Sequence, residues 1–207
     1  MFGTQTRKHN MNSVIYDFET LSQDMVNGVA VSLAVLQYDE KRFLTTPYEY
    51  EELLDEAHMI RFDVAEQIEL GRTIQKSTLD WWKNQPKEAQ ALLKPSELDK
   101  SIKELYNWFC AKIDVGPVRK VWTRGNSFDP IFLRTLLAHS GEKDPFDWWL
   151  IRDTRSFIEG LSYGSPLKNT FVPEELADKF VGHDPRHDIV MDVMRMQKLI
   201  NIVAGDE

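Results

Sequence analysis

The sequence predicts an α/β fold on a mixed five-stranded sheet, three antiparallel strands first and parallel strands after, flanked by helices. Three observations predict it. The first fifty residues carry apolar, β-branched runs of strand length separated by a short turn. From residue 63 onward the apolar spacing becomes helical. Two later strand-length runs, near residues 120 and 150, alternate with helical segments, the pattern of an α/β sheet.

Taken in order, Ser13 to Asp17 reads as a short buried strand. Val29 to Tyr38 (VAVSLAVLQY) is apolar and β-branched, a second strand with a mostly buried face. Arg42 to Tyr50 reads as a third, with Asp39-Glu40-Lys41 as the hairpin turn before it. Helices follow over Asp63 to Leu70 with Gly71 as the stop, Ser77 to Asn84, Pro86 to Leu93 and Asp99 to Ile113. Gly116-Pro117 breaks the last of these, and Arg119 to Trp122 is a short strand. Phe128 to His139 reads as a helix, Trp148 to Ile151 as a strand, Gly160 to Pro173 as loop and Ile189 to Val203 as the terminal helix. With no repeat, low-complexity tract or linker, residues 13–207 are expected to form a single domain. The polar start, MFGTQTRKHN, makes residues 1–12 an expected flexible N-terminal extension.

At 207 residues the chain is long enough to bury a full core. Its net charge of −8 argues against coating nucleic acid by bulk electrostatics. A local grip on a short strand is compatible with that charge, because clustered acids can be neutralised by divalent cations. The single cysteine, Cys110, excludes an internal disulfide and suits a reducing cytoplasm, the expected location. Its setting, Tyr-Asn-Trp-Phe-Cys, leads us to expect a buried thiol. No run approaches the roughly 18 apolar residues of a membrane span, and no signal peptide is visible. A membrane is therefore not an expected partner. Composition leaves monomer and homodimer open.

The chemistry concentrates in three stretches. In Ile15-Tyr16-Asp17-Phe18-Glu19-Thr20 two carboxylates lie two residues apart on a strand, so Asp17 and Glu19 point to one face. Asp129 precedes Pro130 at a strand-to-helix junction, where it reads as a helix cap or as a site residue at the sheet's carboxyl edge. Asp192 is embedded among Ile189, Val190, Met191, Val193 and Met194, and a buried acid needs a basic partner or a metal. Four such carboxylates suit two divalent cations, Mg²⁺ or Mn²⁺. A histidine beside them can take a proton near neutral pH, and His187 is the preferred one. Trp81 and Trp82 read as core.

Three ordered motifs, D-x-E-T at Asp17 to Thr20, N-S-F-D at Asn126 to Asp129 and H-x₄-D at His187 to Asp192, resemble those of the DEDD 3′–5′ exonucleases, histidine subclass, of the ribonuclease H-like fold. Ser77-Thr78-Leu79-Asp80-Trp81-Trp82 and Arg152-Asp153-Thr154-Arg155 are similar to the branch of phage exonuclease A-type enzymes and a bacterial 3′–5′ exoribonuclease. His183 and Asp188 have the same spacing as His187 and Asp192, and the second pair is preferred because Asp192 sits in the apolar run. The resemblance implies that Asp17, Glu19, Asp129 and Asp192 hold two metal ions and that His187 is the base. It implies release of nucleoside 5′-monophosphates from single-stranded 3′ ends, DNA first and RNA as the alternative. A catalytically silent binding module is the alternative of another class. Thr20, Leu21, Asn126 and Phe128 are the implied substrate contacts, with Phe128 or Trp122 as candidates to stack on a base. Arg119, Lys120, Arg124, Arg152, Arg155, Lys168, Arg186 and Arg195 are candidates to touch phosphates.

Overall fold

The computed structural model describes residues 11–205, so the first ten residues of the expected extension lie outside the described residues. Met11 and Asn12, its last two, are tied to the body. Met11 O accepts from Gln37 Nε2 at 2.9 Å and Asn12 O from the Arg119 N–H at 2.7 Å.

β1 (Ser13–Thr20) and β2 (Ala30–Tyr38) pair antiparallel. The expected third strand over 42–50 does not form. Its place is taken by α1 (Arg42–Thr45) and α2 (Tyr50–Glu56), and the third strand, β3, is His58–Arg61. The backbone explains the difference. The N–H groups of Arg42 and Phe43 bond back to the carbonyls of Asp39 and Glu40, which closes helical turns instead of a hairpin. Phe43 then stacks on Tyr38, and Tyr50 and Leu53 bury one side of α2 at helical spacing. β3 has four residues with only Ile60 buried, too short to announce itself by alternation.

α3 (Val64–Glu69) is capped by Asp63, whose carboxylate accepts from Glu66 N at 3.0 Å. α4 (Lys76–Trp82), α5 (Lys87–Ala91) and α6 (Leu105–Lys112) follow. On α6, Leu105 and Phe109 take the buried side, which turns Cys110 to solvent rather than into the core. β4 (Lys120–Thr123) leads to α7 (Asp129–His139). The expected strand at 148–151 begins late: Trp148–Leu150 is a 3₁₀ turn and β5 is Ile151–Asp153, followed directly by α8 (Thr154–Leu161). The terminal helix, α9 (Pro185–Ala204), starts four residues earlier than the apolar run implied. Asp184 accepts from Arg186 N at 3.0 Å and Pro185 occupies the first helical position, a complete start signal.

The sheet runs β3-β2-β1-β4-β5, antiparallel on the first side and parallel on the other. This is the expected mixed order, although its third strand comes from a different stretch. Alternation along β1 divides two cores. Val14, Tyr16 and Phe18 face Phe109 and the buried side of α7. Ile15 faces the opposite side, where α9 packs through Ile189, Val190 and Val193. Asp17 and Glu19 share that second side by the period of two, so the carboxylates emerge where the first turns of α9 cross β1.

Candidate active site

The strand end is distorted where the acids sit. Glu19 opposes Ser32 and Thr20 opposes Ala30, a register shift of the kind that re-aims side chains beside sites. Asp129 does not cap its helix. The cap position is Phe128, and the buried Asp129 carboxylate instead accepts from the Phe18 N–H at 3.1 Å. That bond fixes the third acid against the middle of the pair on β1. The fourth comes from the first turn of α9. Asp188 Oδ2 accepts from the backbone N–H of His183 at 2.9 Å. Ligand atoms of Glu19, His183 and Asp188 all lie within 4.8 Å of one another, with His183 Nδ1 3.9 Å from Glu19 Oε1. A cavity of about 540 Å³ opens over Asp17, Glu19, Asp129, Asp188 and His183.

His183 reaches this cluster on strained backbone. Its φ of +65° is left-handed, and among the described residues no other non-glycine shares that sign. Such a conformation costs on the order of 1–3 kcal/mol and collects at functional positions. The indole of Trp81 stands edge-on to the imidazole at 4.7 Å. Trp82 is in the core as expected, its Nε1 donating to Thr20 O at 2.9 Å, but Trp81 is 44 % exposed. Trp81 lines a second cavity, about 610 Å³, together with Glu19, Thr20 and Phe128.

The preferred pair, His187 with Asp192, is not the pair that meets the acids of β1. His187 turns away: its Nδ1 lies 2.7 Å from the Tyr50 hydroxyl on α2. Asp192 borders the cleft, but its oxygens are occupied. Oδ1 accepts from Arg124 Nη1 at 2.6 Å and from Arg195 Nη1 at 2.7 Å, and Oδ2 accepts from the Thr154 hydroxyl. The buried acid found its basic partners. The alternative pair, His183 with Asp188, is the one the structure gathers. A signal for it was present in Asp184-Pro185, which starts α9 early enough to put Asp188 on the first turn and His183 just before it.

The other expected contacts divide. Phe128 lines both cavities and Thr20 one of them. Leu21 is buried with Val29, Val31 and Trp82, and its N–H and C=O bond to Val29 and Gln75. Asn126 is exposed and lines neither cavity. Trp122 is buried with its Nε1 on Glu40, so Phe128 alone of the two aromatics faces the cleft. Of the eight basic candidates, Arg124, Arg155 and Arg195 line it. Arg186 pairs with Asp184 and Lys120 with Glu40.

Electrostatics fit a site for cations. Burial, then the neighbouring carboxylates led by Asp129 and Glu19, hold the Asp17 carboxyl well above the usual range. Burial and Asp188 do the same to Glu19. Burial pushes Asp129 up to about 7 against the pull of the Phe18 N–H. It pushes Asp188 up to about 7 against the His183 N–H. Four acids raised by burial in one cleft, two of them also by the others, carry an uncompensated demand for positive charge, and oxygen donors suit hard divalent ions. Burial also lowers the imidazole of His183, which keeps it neutral and able to accept a proton.

Residues 12–191 match the family described as the 3'-5' exoribonuclease Rv2179c-like domain. The chain belongs to this family. It is thus a 3′–5′ exonuclease by family, on a ribonuclease H-like fold. The exodeoxyribonuclease of Enterobacteria phage T4 is 30% identical over 214 residues, covering 95% of this chain and 92% of the relative. E. coli exonuclease I in complex with a dA16 oligonucleotide superposes with a TM-score of 0.57 at 14% identity, over 93% of this chain and 43% of that one. Its zinc-bound complex with single-stranded DNA gives 0.54 at 14% identity, over 94% and 40%. The chain thus spans less than half the length of those structures, and they share its fold. The 3′–5′ exonuclease family implies divalent metal, in keeping with the clustered acids.

Proposed function

We propose that the protein is a metal-dependent 3′–5′ exonuclease that releases nucleoside 5′-monophosphates from single-stranded nucleic acid, with Asp17, Glu19, Asp129 and Asp188 as metal ligands and His183 as general base. The observation that carries this assignment is the convergence of Glu19, His183 and Asp188 within 4.8 Å beside Asp17 and Asp129. Mg²⁺ or Mn²⁺ held there would supply charge stabilisation at the attacking and leaving oxygens. The neutral imidazole of His183 takes the proton of the attacking water. The ring is positioned by the backbone N–H of His183, which donates to Asp188, and by the Trp81 indole beside it. Phe128 and Trp81 offer aromatic faces to the terminal bases, at roughly 1–3 kcal/mol per stacked base. Thr20, with its hydroxyl turned to Ser22 O, shapes the floor beside them.

DNA is the first substrate, by the T4 relative that covers nearly the whole chain. RNA is the second, by the family description. Contacts to the 2′-OH decide between them. The test is digestion of labelled single-stranded DNA and RNA of equal sequence with Mg²⁺ and with Mn²⁺. We expect 5′-mononucleotides from the 3′ end and a block by a 3′-phosphate. Loss of a 5′ label as the first mononucleotide, or full activity in EDTA, overturns the reading.

A further inference from the structure

Asp192 is 2 % exposed and holds two guanidiniums, but they are not equivalent. Arg195, although it also lines the cleft, is the more enclosed of the two. Besides Asp192 it donates from Nε to Phe171 O at 2.6 Å and from Nη2 to Thr170 O at 3.2 Å, and its side chain is 6% exposed. Arg124, the residue after β4, donates to Asp192 and to Asn169 O at 3.1 Å, and its side chain is 22% exposed on the wall of the catalytic cleft. A guanidinium has five N–H donors, so Arg124 keeps donors for the cleft. Two guanidiniums on one carboxylate leave a formal positive charge over, beside four carboxylates that would repel a polyanion. Bidentate donation to phosphate oxygens is what an aimed guanidinium does best.

We propose that Arg124 binds a backbone phosphodiester of the strand entering the cleft, and that Asp192 is a positioning residue that aims it. This rests on the nuclease reading above. The test measures anisotropy of a labelled single-stranded oligonucleotide with Mg²⁺ as salt is raised, in a His183→Ala background that slows turnover roughly 10²–10⁴-fold and keeps the carboxylates. Adding Arg124→Ala should raise Kd about tenfold and flatten the log–log salt slope by about 0.7, the loss of one phosphate contact. Arg124→Lys should keep most of the slope and fall between in Kd. Asp192→Asn should weaken oligonucleotide binding while Mg²⁺ affinity, read by calorimetry, stays at the parent value. Unchanged Kd and slope in Arg124→Ala, with only a lower Tm, would make Arg124 a loop anchor and overturn the inference alone. A background protein that binds no oligonucleotide sinks the functional reading with it.

Discussion

Burial holds the imidazole of His183 below its ordinary range, so activity should rise through an apparent pKa below about 6.5 as that ring loses its proton. His183→Ala should lower kcat by roughly 10²–10⁴, the usual loss for a general base, and should erase that limb of the pH–rate profile. His187→Ala should cost less than about tenfold in kcat. Its Nδ1 partners Tyr50, so the expected cost is about 1 kcal/mol of stability for a lost hydrogen bond, read as a shift in the urea midpoint. A collapse of kcat in His187→Ala with normal rates in His183→Ala would reverse the assignment. The sequence left these two open for a physical reason. His183 and His187, like Asp188 and Asp192, are four residues apart, and an α-helix repeats every 3.6. A shift of four keeps each side chain on nearly the same face, so apolar periodicity could not choose between the registers. Burial misdirected the preference, because it marks an acid that has partners of any kind.

The start of α9 carries more of the site than any other helix end, since His183, Asp184 and Asp188 all depend on it. Asp184→Ala removes the bond to Arg186 N and should cost about 1 kcal/mol, within the range for a lost cap. It should also lower kcat severalfold, because Asp188 N bonds to the Asp184 carbonyl on the same strained turn that presents His183. Urea unfolding and steady-state rates on one oligonucleotide check both; a stability loss with unchanged kcat would detach the cap from the site. The elements differ in how legible they were. β1, β2 and α7 were readable because each buries a long apolar pattern. The segment 42–61 was not. Its aromatics, Phe43, Tyr48 and Tyr50, suit a strand by propensity, yet they pack in one core with Tyr38 from two short helices and the connection between them. Tertiary contacts chose the conformation there, and β3 followed wherever the chain could next reach the edge of β2.

Across the molecule, the four cleft acids make stability depend on pH and metal together. Asp129 and Asp188 have folded-state pKa values of about 7, against an ordinary carboxylate value of 3.8, and Asp17 and Glu19 are raised too. A folded pKa above the unfolded one contributes stability that is full below the unfolded value and lost as pH rises through the folded value. The metal-free protein should therefore lose stability between about pH 4 and pH 8, as buried carboxylates are forced to ionise side by side. At this chain length each kcal/mol lost lowers Tm by roughly 2–4 °C. Divalent cations require the ionised acids, so their stabilisation should grow over the same interval. Calorimetric scans at pH 5 and pH 8, in EDTA and in Mg²⁺, read both effects. We expect Tm in EDTA to fall toward pH 8 and the Mg²⁺ increment to be larger there. Asp129→Asn should flatten the EDTA profile and raise Tm at pH 8, because one buried charge is gone, while it removes activity because one ligand is gone. An EDTA profile as flat as that of Asp129→Asn, with no Mg²⁺ increment at pH 8, would mean that these acids are not held together as a cation site.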